Sequence, residues 1–330
     1  MSHMIDTTTG TAAIAYAGQT PWHGLGQQLQ PGASIADWTK QAGLDYTVLE
    51  SPVLYNTGAA TAPQPWPQRK VLHRSDTGAP LAVVSKGYRS VQPAEIMAFF
   101  GKLAELGGFE LETAGALSEG RRVWALARVG DEREIKGLND TVKPYLLLGT
   151  SYDGTMATIA KFTPVRVVCN NTITMALENE AAAGVRVLHR EKFDADKVRQ
   201  QLGIFKDQFE SFLFSAKTLA MQHMDRDECM AFLDELFTPI HAGNKPLRES
   251  RGYRRVLDLF DGAAIGSDIA GVFGTRWQAL NAVTQYIDHE RGRSADTRLD
   301  GAWFGTGATI KNRALDILKT HMGRFESETV

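Results

Sequence analysis

Cations and aromatic rings alternate along parts of this chain in a way that suits a polyanion. Between residues 69 and 89 stand Arg69, Lys70, Arg74, Lys86 and Arg89 against Asp76 alone. Tyr88 lies between Lys86 and Arg89, Trp124 follows Arg121-Arg122, and Phe162 follows Lys161, with Arg166 close behind. A groove for single-stranded nucleic acid needs this combination, cations for phosphates and flat rings for bases. The same alternation also arises wherever a strand has one wet face. A second basic run, Lys245, Arg248, Arg251, Arg254 and Arg255 against Glu249, falls in helical sequence.

Two further features could do polar chemistry. Asn170-Asn171, in VRVVCNNT, is a pair of poor helix formers inside apolar sequence, so something outside the local helix is expected to use the amides. His23 stands beside Trp22 in PWHGLG, a turn whose glycines are free to take positive φ. It reads either as a ligand or acid–base residue or as a structural histidine under a Trp/Leu plug. Familiar catalytic patterns are missing. Residues 301–307, GAWFGTG, are glycine-rich but lack the Gly-Lys-Ser/Thr ending of a phosphate loop. Asp288-His289-Glu290 are adjacent on a helix and do not face one point, so they read as a solvated face. No zinc or nucleophile-elbow motif occurs, and no cofactor or metal is expected.

The elements that must position these groups follow from local grammar. At 330 residues and a formal net charge of −2, the chain is no basic nucleic-acid coat, though it has room for two domains. Cys169 and Cys229 stand far apart in apolar contexts, which predicts no disulfide framework and a reducing cytoplasm. No apolar run is long enough for a membrane span and no signal peptide is evident, so no membrane partner is expected. Met1-Ser2-His3-Met4 reads as a cloning scar before a native Met4. Residues 1–20 read as a flexible arm, 21–185 as an α+β domain and 186–330 as a helical domain, with the boundary near Ala181–Gly184.

The expected elements begin with a helix at 34–43 capped by Ser34, then a strand at 46–55 interrupted by Pro52 as an edge or bulge. A loop at 60–67, a hairpin around Asp76-Thr77-Gly78, and a helix at 94–106 opened by Pro93 follow. A hairpin at 109–129 and strands at 145–148 and 155–161 lead to a helix at 164–177, opened by Thr163-Pro164. Helices are then expected at 192–224, 225–237, 249–260, 275–289 and 309–321. The fold class is α+β, with a mostly antiparallel N-terminal sheet flanked by helices and a helical C-terminal half.

Four stretches carry a resemblance: PWHGLG, FTPVRVVCNNT, GTRWQALNAVTQYIDH and FGTGATIKNRAL. With them the chain resembles the phage/plasmid-like protein family, domain of unknown function 932, from residue 21 to about 318. The resemblance implies a mobile-element protein in the cytoplasm of a bacterial host, and no particular reaction. The order helix 94–106, hairpin, strands, helix 164–177 is also similar to the α-β-β-β-α core of ring-forming single-strand annealing proteins. That likeness implies a non-enzymatic, homo-oligomeric protein that binds and anneals single-stranded DNA. Lys86, Arg89, Arg121, Arg122, Lys161 and Arg166 would meet phosphates, and Tyr88 and Trp124 would stack on bases. Asn170 and Asn171 would bond DNA or a neighbouring hairpin's backbone. Two alternatives stay open: a regulatory or interaction module such as a host-defence antagonist, with the helical half as interface, and an enzyme using His23.

Overall fold

Twelve strands and eight α-helices form among the described residues of the computed structural model, which are 5–18, 25–58, 62–105, 108–166, 171–172, 185–187, 205–241, 246–292 and 298–326. The strands are β1 (Ile14–Ala17), β2 (Gln27–Leu29), β3 (Val48–Tyr55), β4 (Gln64–Arg74), β5 (Pro80–Ser85), β6 (Phe109–Leu117), β7 (Arg122–Val129), β8 (Arg133–Glu134), β9 (Thr141–Ser151), β10 (Thr158–Arg166), β11 (Asn171–Thr172) and β12 (Val185–Val187). The helices are α1 (Ile35–Gln41), α2 (Pro93–Glu105), α3 (Phe205–Met221), α4 (Arg226–Phe237), α5 (Arg251–Asp258), α6 (Arg276–Gln285), α7 (Arg298–Trp303) and α8 (Thr306–Glu326). The fold is α+β, with the sheets in the N-terminal half and most helices in the C-terminal half. Two compact units share the chain: Met1–Gly130, Leu146–Lys161 and Gly184–Leu202 make the first, and the intervening segments with Gly203–Val330 make the second.

In the first unit the main sheet runs β2-β1-β6-β7, then the Leu146–Ser151 part of β9 and the Thr158–Lys161 part of β10, with β12 also paired to β10. Residues 5, 6 and 13–16, expected in a flexible arm, are instead buried: Ile5 bridges Leu117, and β1 is a strand between β6 and β2 with Ile14 and Ala15 almost fully buried. Composition misled here because a Thr/Gly/Ala-rich segment forms a strand once neighbours supply its ladder. Gly115 lets β1 approach β6, since a Cβ there would stand 2.5 Å from the Ala13 carbonyl oxygen. Helix α2 opens at Pro93 and packs its Ile96, Phe99 and Phe100 face on β6 and β7, with α1 beside it. The Ser34 side chain caps α1 by accepting from the Asp37 N–H at 3.1 Å.

A second sheet, β3-β4-β5, is held by a buried ion centre. Arg74, at the inner end of β4, is 1 % exposed and pairs with the buried Asp6 and with Asp76. Its guanidinium also lies over the Tyr46 ring, 4.1 Å from the centroid. Burial by itself would push the guanidinium down, but its hydrogen bonds to Asp76 and Asp6 outweigh that and hold its pKa above the ordinary value. Burial pushes the Tyr46 hydroxyl up, and that hydroxyl donates to the Gly120 carbonyl at 3.0 Å. Pro52 lies in edge strand β3 next to a register shift, as its missing N–H requires. Gln64–Pro67, read from their prolines as loop, extend β4 instead.

The expected helix at 164–177 is overturned where it is described. Phe162–Arg166 complete β10, and Val165 and Arg166 pair with Thr172 and Asn171 of β11. The annealing-type core therefore lacks its closing helix at these residues. Pairing across the strand overrides a local Thr-Pro signal that suits a helix N-terminus equally well. Residues 167–170 and 173–177 lie outside the described residues.

The second unit is organised around α6, whose ten residues are all buried. Trp277 on that helix donates its indole N–H to the buried Asp140 at 2.8 Å. Phe162, Phe209, Phe212 and Trp277 make successive ring contacts beside it. Asp225 caps α4 in a complete capping box with Glu228. Helix α7 was not foreseen in the glycine-rich GAWFGTG. Gly307, in the first turn of α8, serves close packing: a Cβ there would stand 2.6 Å from the Gly301 carbonyl oxygen and 2.8 Å from Ile287.

Arg74→Met strands the buried Asp6 carboxylate, and urea unfolding is expected to show a loss of about 3–5 kcal/mol. The acid limb tests the other partner. The hydrogen bond from Arg74 holds the Asp76 carboxyl below its ordinary value of 3.8, so its contribution is complete above that pH and is lost as pH falls through the lowered value. Asp76→Asn is therefore expected to flatten the acid side of the stability profile.

Candidate functional site

The outer half of the β3-β4-β5 sheet and the segment after β5 enclose a cleft of about 500 Å³. Cross-strand pairing puts Val48, Glu50, Lys70, Leu72 and Val84 on one face of this sheet. The inner part of that face is core, with Val48, Leu72 and Val84 buried. Where the core ends, ionic side chains take over: Lys70 Nζ reaches Glu50 Oε1 at 2.6 Å. The Lys86 N–H donates to Gln68, extending the β4-β5 ladder, the chain then turns with the Tyr88 N–H donating to Ser85, and the segment bearing Lys86 and Arg89 completes the wall of the cleft. Gln92 fixes the wall by bonding both backbone groups of Val48, at 2.8 and 3.2 Å. The lining thus carries three cations and one carboxylate, and its chemistry is anion attraction.

Exposed rings stand on the same sheet. Trp66 is 44 % and Tyr55 51 % exposed, and Arg69 lies over the Trp66 ring at 5.4 Å. Trp66 is four residues from Lys70 along β4, at most about 13 Å.

Of the residues singled out in the sequence, Lys86, Tyr88 and Arg89 meet at this cleft. Tyr88 and Trp124 are not stacking platforms. Trp124 is 2 % exposed on β7, a central strand that α2 covers, and Tyr88 is 8 % exposed with its hydroxyl donating to the Ser151 carbonyl at 2.7 Å. A ring without an open face cannot receive a base. Arg121, in the β6–β7 turn, pairs with Glu119 at 3.1 Å, and Arg122, the first residue of β7, donates to Thr155 Oγ1 at 3.0 Å. Lys161 is half-buried on β10, and Arg166 ends that strand in register with Asn171. Trp22, His23 and Asn170 lie outside the described residues.

Other charge in the sequence is taken up by packing. Arg74 left the basic count by burial, and in the second run Arg248 pairs with Asp234 and Arg255 with Glu290, each at 2.5 Å. The Asp288 side chain does not face solvent: it is 7 % exposed and holds the buried Lys311 at 2.7 Å. Burial lowers the Lys311 ammonium, with Asp288 opposing it. Cys229 is buried and its thiol is pushed up to about 12 by that burial, which leaves no nucleophilic thiolate at neutral pH. Among the described residues no group of three His, Cys, Asp or Glu could hold a metal ion.

Glu50, Tyr55 and Trp66 were missed as site residues. The available signal was the Trp66-Arg69-Lys70 spacing in a proline-rich stretch that read as loop. The two tryptophans separate experimentally: Trp124→Ala is expected to cost about 3–5 kcal/mol in chemical denaturation, and Trp66→Ala under about 0.5 kcal/mol.

No curated protein and no solved structure matches the chain. No helix among the described residues is long and apolar enough to cross a membrane. One family model matches residues 80–304, well over half of the chain, taking in Lys86 and Arg89 and leaving out Glu50, Trp66 and Lys70. The chain belongs to the family described as Domain of unknown function (DUF932).

Proposed function

We propose that the first unit binds single-stranded DNA along the β3-β4-β5 sheet. The observation that carries this reading is the cleft whose lining brings together Lys70, Lys86 and Arg89 with Glu50 as its one carboxylate. Phosphates occupy the cleft, and bases stack beyond it on Trp66, with Tyr55 as a second ring. Lys70 exchanges its Glu50 partner for phosphate, a small loss because that pair is partly exposed. In this reading the protein serves a phage or other mobile element in the bacterial cytoplasm, holding strands as a homo-oligomer so that complementary ones anneal.

Fluorescence anisotropy of labelled oligonucleotides across a salt series tests it. Single-strand-preferring binding that weakens with salt is expected. Lys70→Gln, Lys86→Gln and Arg89→Gln together are expected to make the log–log salt slope shallower by about 2. Trp66→Ala should weaken binding by about 1–3 kcal/mol with little change in that slope. Absence of binding at low salt, or binding indifferent to the triple variant, overturns the reading.

A further inference from the structure

Helix α3 presents two opposite faces. Phe209, Phe212, Ala216 and Leu219 are buried in the second unit. On the far side Ser211, Phe214, Thr218 and Met221 form a strip at spacings of three, four and three, with Phe214 71 % and Met221 75 % exposed. Thr218 spends its hydroxyl on the Phe214 carbonyl at 2.9 Å, and Ser215 donates to the Ser211 carbonyl at 3.0 Å. Phe273, 63 % exposed, stands beside the end of the helix, since the adjoining Gly274 carbonyl accepts from the Met224 N–H.

We infer that this strip is the contact between two copies of the chain, paired antiparallel about a two-fold axis level with Ala216. That axis sets Ser211 opposite Met221 and Phe214 opposite Thr218, a small residue against a large one in every layer. A parallel pair would set each residue against itself, crowding the phenylalanines and leaving voids at the serines. The two-fold arrangement uses the same patch on both copies, as a closed dimer requires.

The area is consistent with a dimer of modest affinity. At their exposures Phe214, Met221 and Phe273 offer about 310–420 Å² of apolar surface per copy, taking about 150–200 Å² for each full side chain. Surrounding surface brings the total over both copies near the about 1,200 Å² lower bound of stable interfaces. Glu210 on one flank is already paired with Arg133 at 3.2 Å. Lys217 lies near the axis, where it approaches its own copy, so rising salt favours the dimer. Nucleic-acid binding has the opposite salt dependence, and the dimer stands or falls independently of it.

Sedimentation velocity on the full chain, from about 1 to 100 µM, tests the contact. A concentration-dependent dimer is expected, held or tightened by salt and by Lys217→Gln. Phe214→Glu with Met221→Glu is expected to weaken it about a hundredfold. Circular dichroism should stay unchanged, because both side chains are exposed. Thr218→Phe alone sets phenylalanine against phenylalanine and weakens the dimer, whereas Phe214→Thr with Thr218→Phe restores it by exchanging large and small. A monomer at the highest concentration overturns the inference. So does a dimer indifferent to the glutamate pair, a swap that fails to restore, or a dimer lost instead on Val83→Glu in the exposed face of β5.

Discussion

The Arg74 ion centre is the constraint on which the first unit depends. A guanidinium removed from water is tolerated only when its donors are met, and Asp6, Asp76 and the Tyr46 ring meet them from different parts of the chain. Its neighbour Gly120 has φ of 86° in the β6–β7 turn, and a Cβ there would come 2.8 Å from the guanidinium. The turn, the first buried residues and the inner end of β4 are thereby held together. Since β4 is anchored at that end, its outer end is free of core duties and carries Arg69 and Trp66 into solvent, with Lys70 half-buried beside Glu50.

The second unit uses the same device with different residues. Asp140 receives the Trp277 indole, and Lys311 meets Asp288, each inside a shell of apolar side chains. Hydrophobic contact alone would let α6 slide or rotate, because apolar burial has no direction. A buried donor that must find one acceptor fixes the register of the helix. Much of the charge in this chain is therefore structural, and counting it along the sequence overstates what is available to a ligand.

What remains for function lies where the core stops. The cleft begins where Leu72 and Val84 give way to Lys70 and Glu50 on one sheet face. The α3 strip lies opposite the helix face that packs inward. Both are surfaces that the fold presents but does not consume, one lined by cations and one apolar.

Short-range features were legible in the sequence. Ser34, Asp225 and Thr275 cap helices, Pro93 opens one, Gly78 and Gly154 take positive φ in turns, and Pro52 marks the irregular edge strand. Each involves groups within about four residues, so local sequence determines them. The α+β class followed from those pieces. Tertiary structure alone decided that residues 14–17 are a buried strand, that Pro164 lies in a strand, and that Trp124 is core while Trp66 is exposed. It also decided which cations are neutralised, since Arg74 meets Asp6 across 68 positions and Arg255 meets Glu290 across 35. Burial and ion pairing depend on groups brought together by the whole fold, and no local pattern of charge and ring encodes which partner arrives.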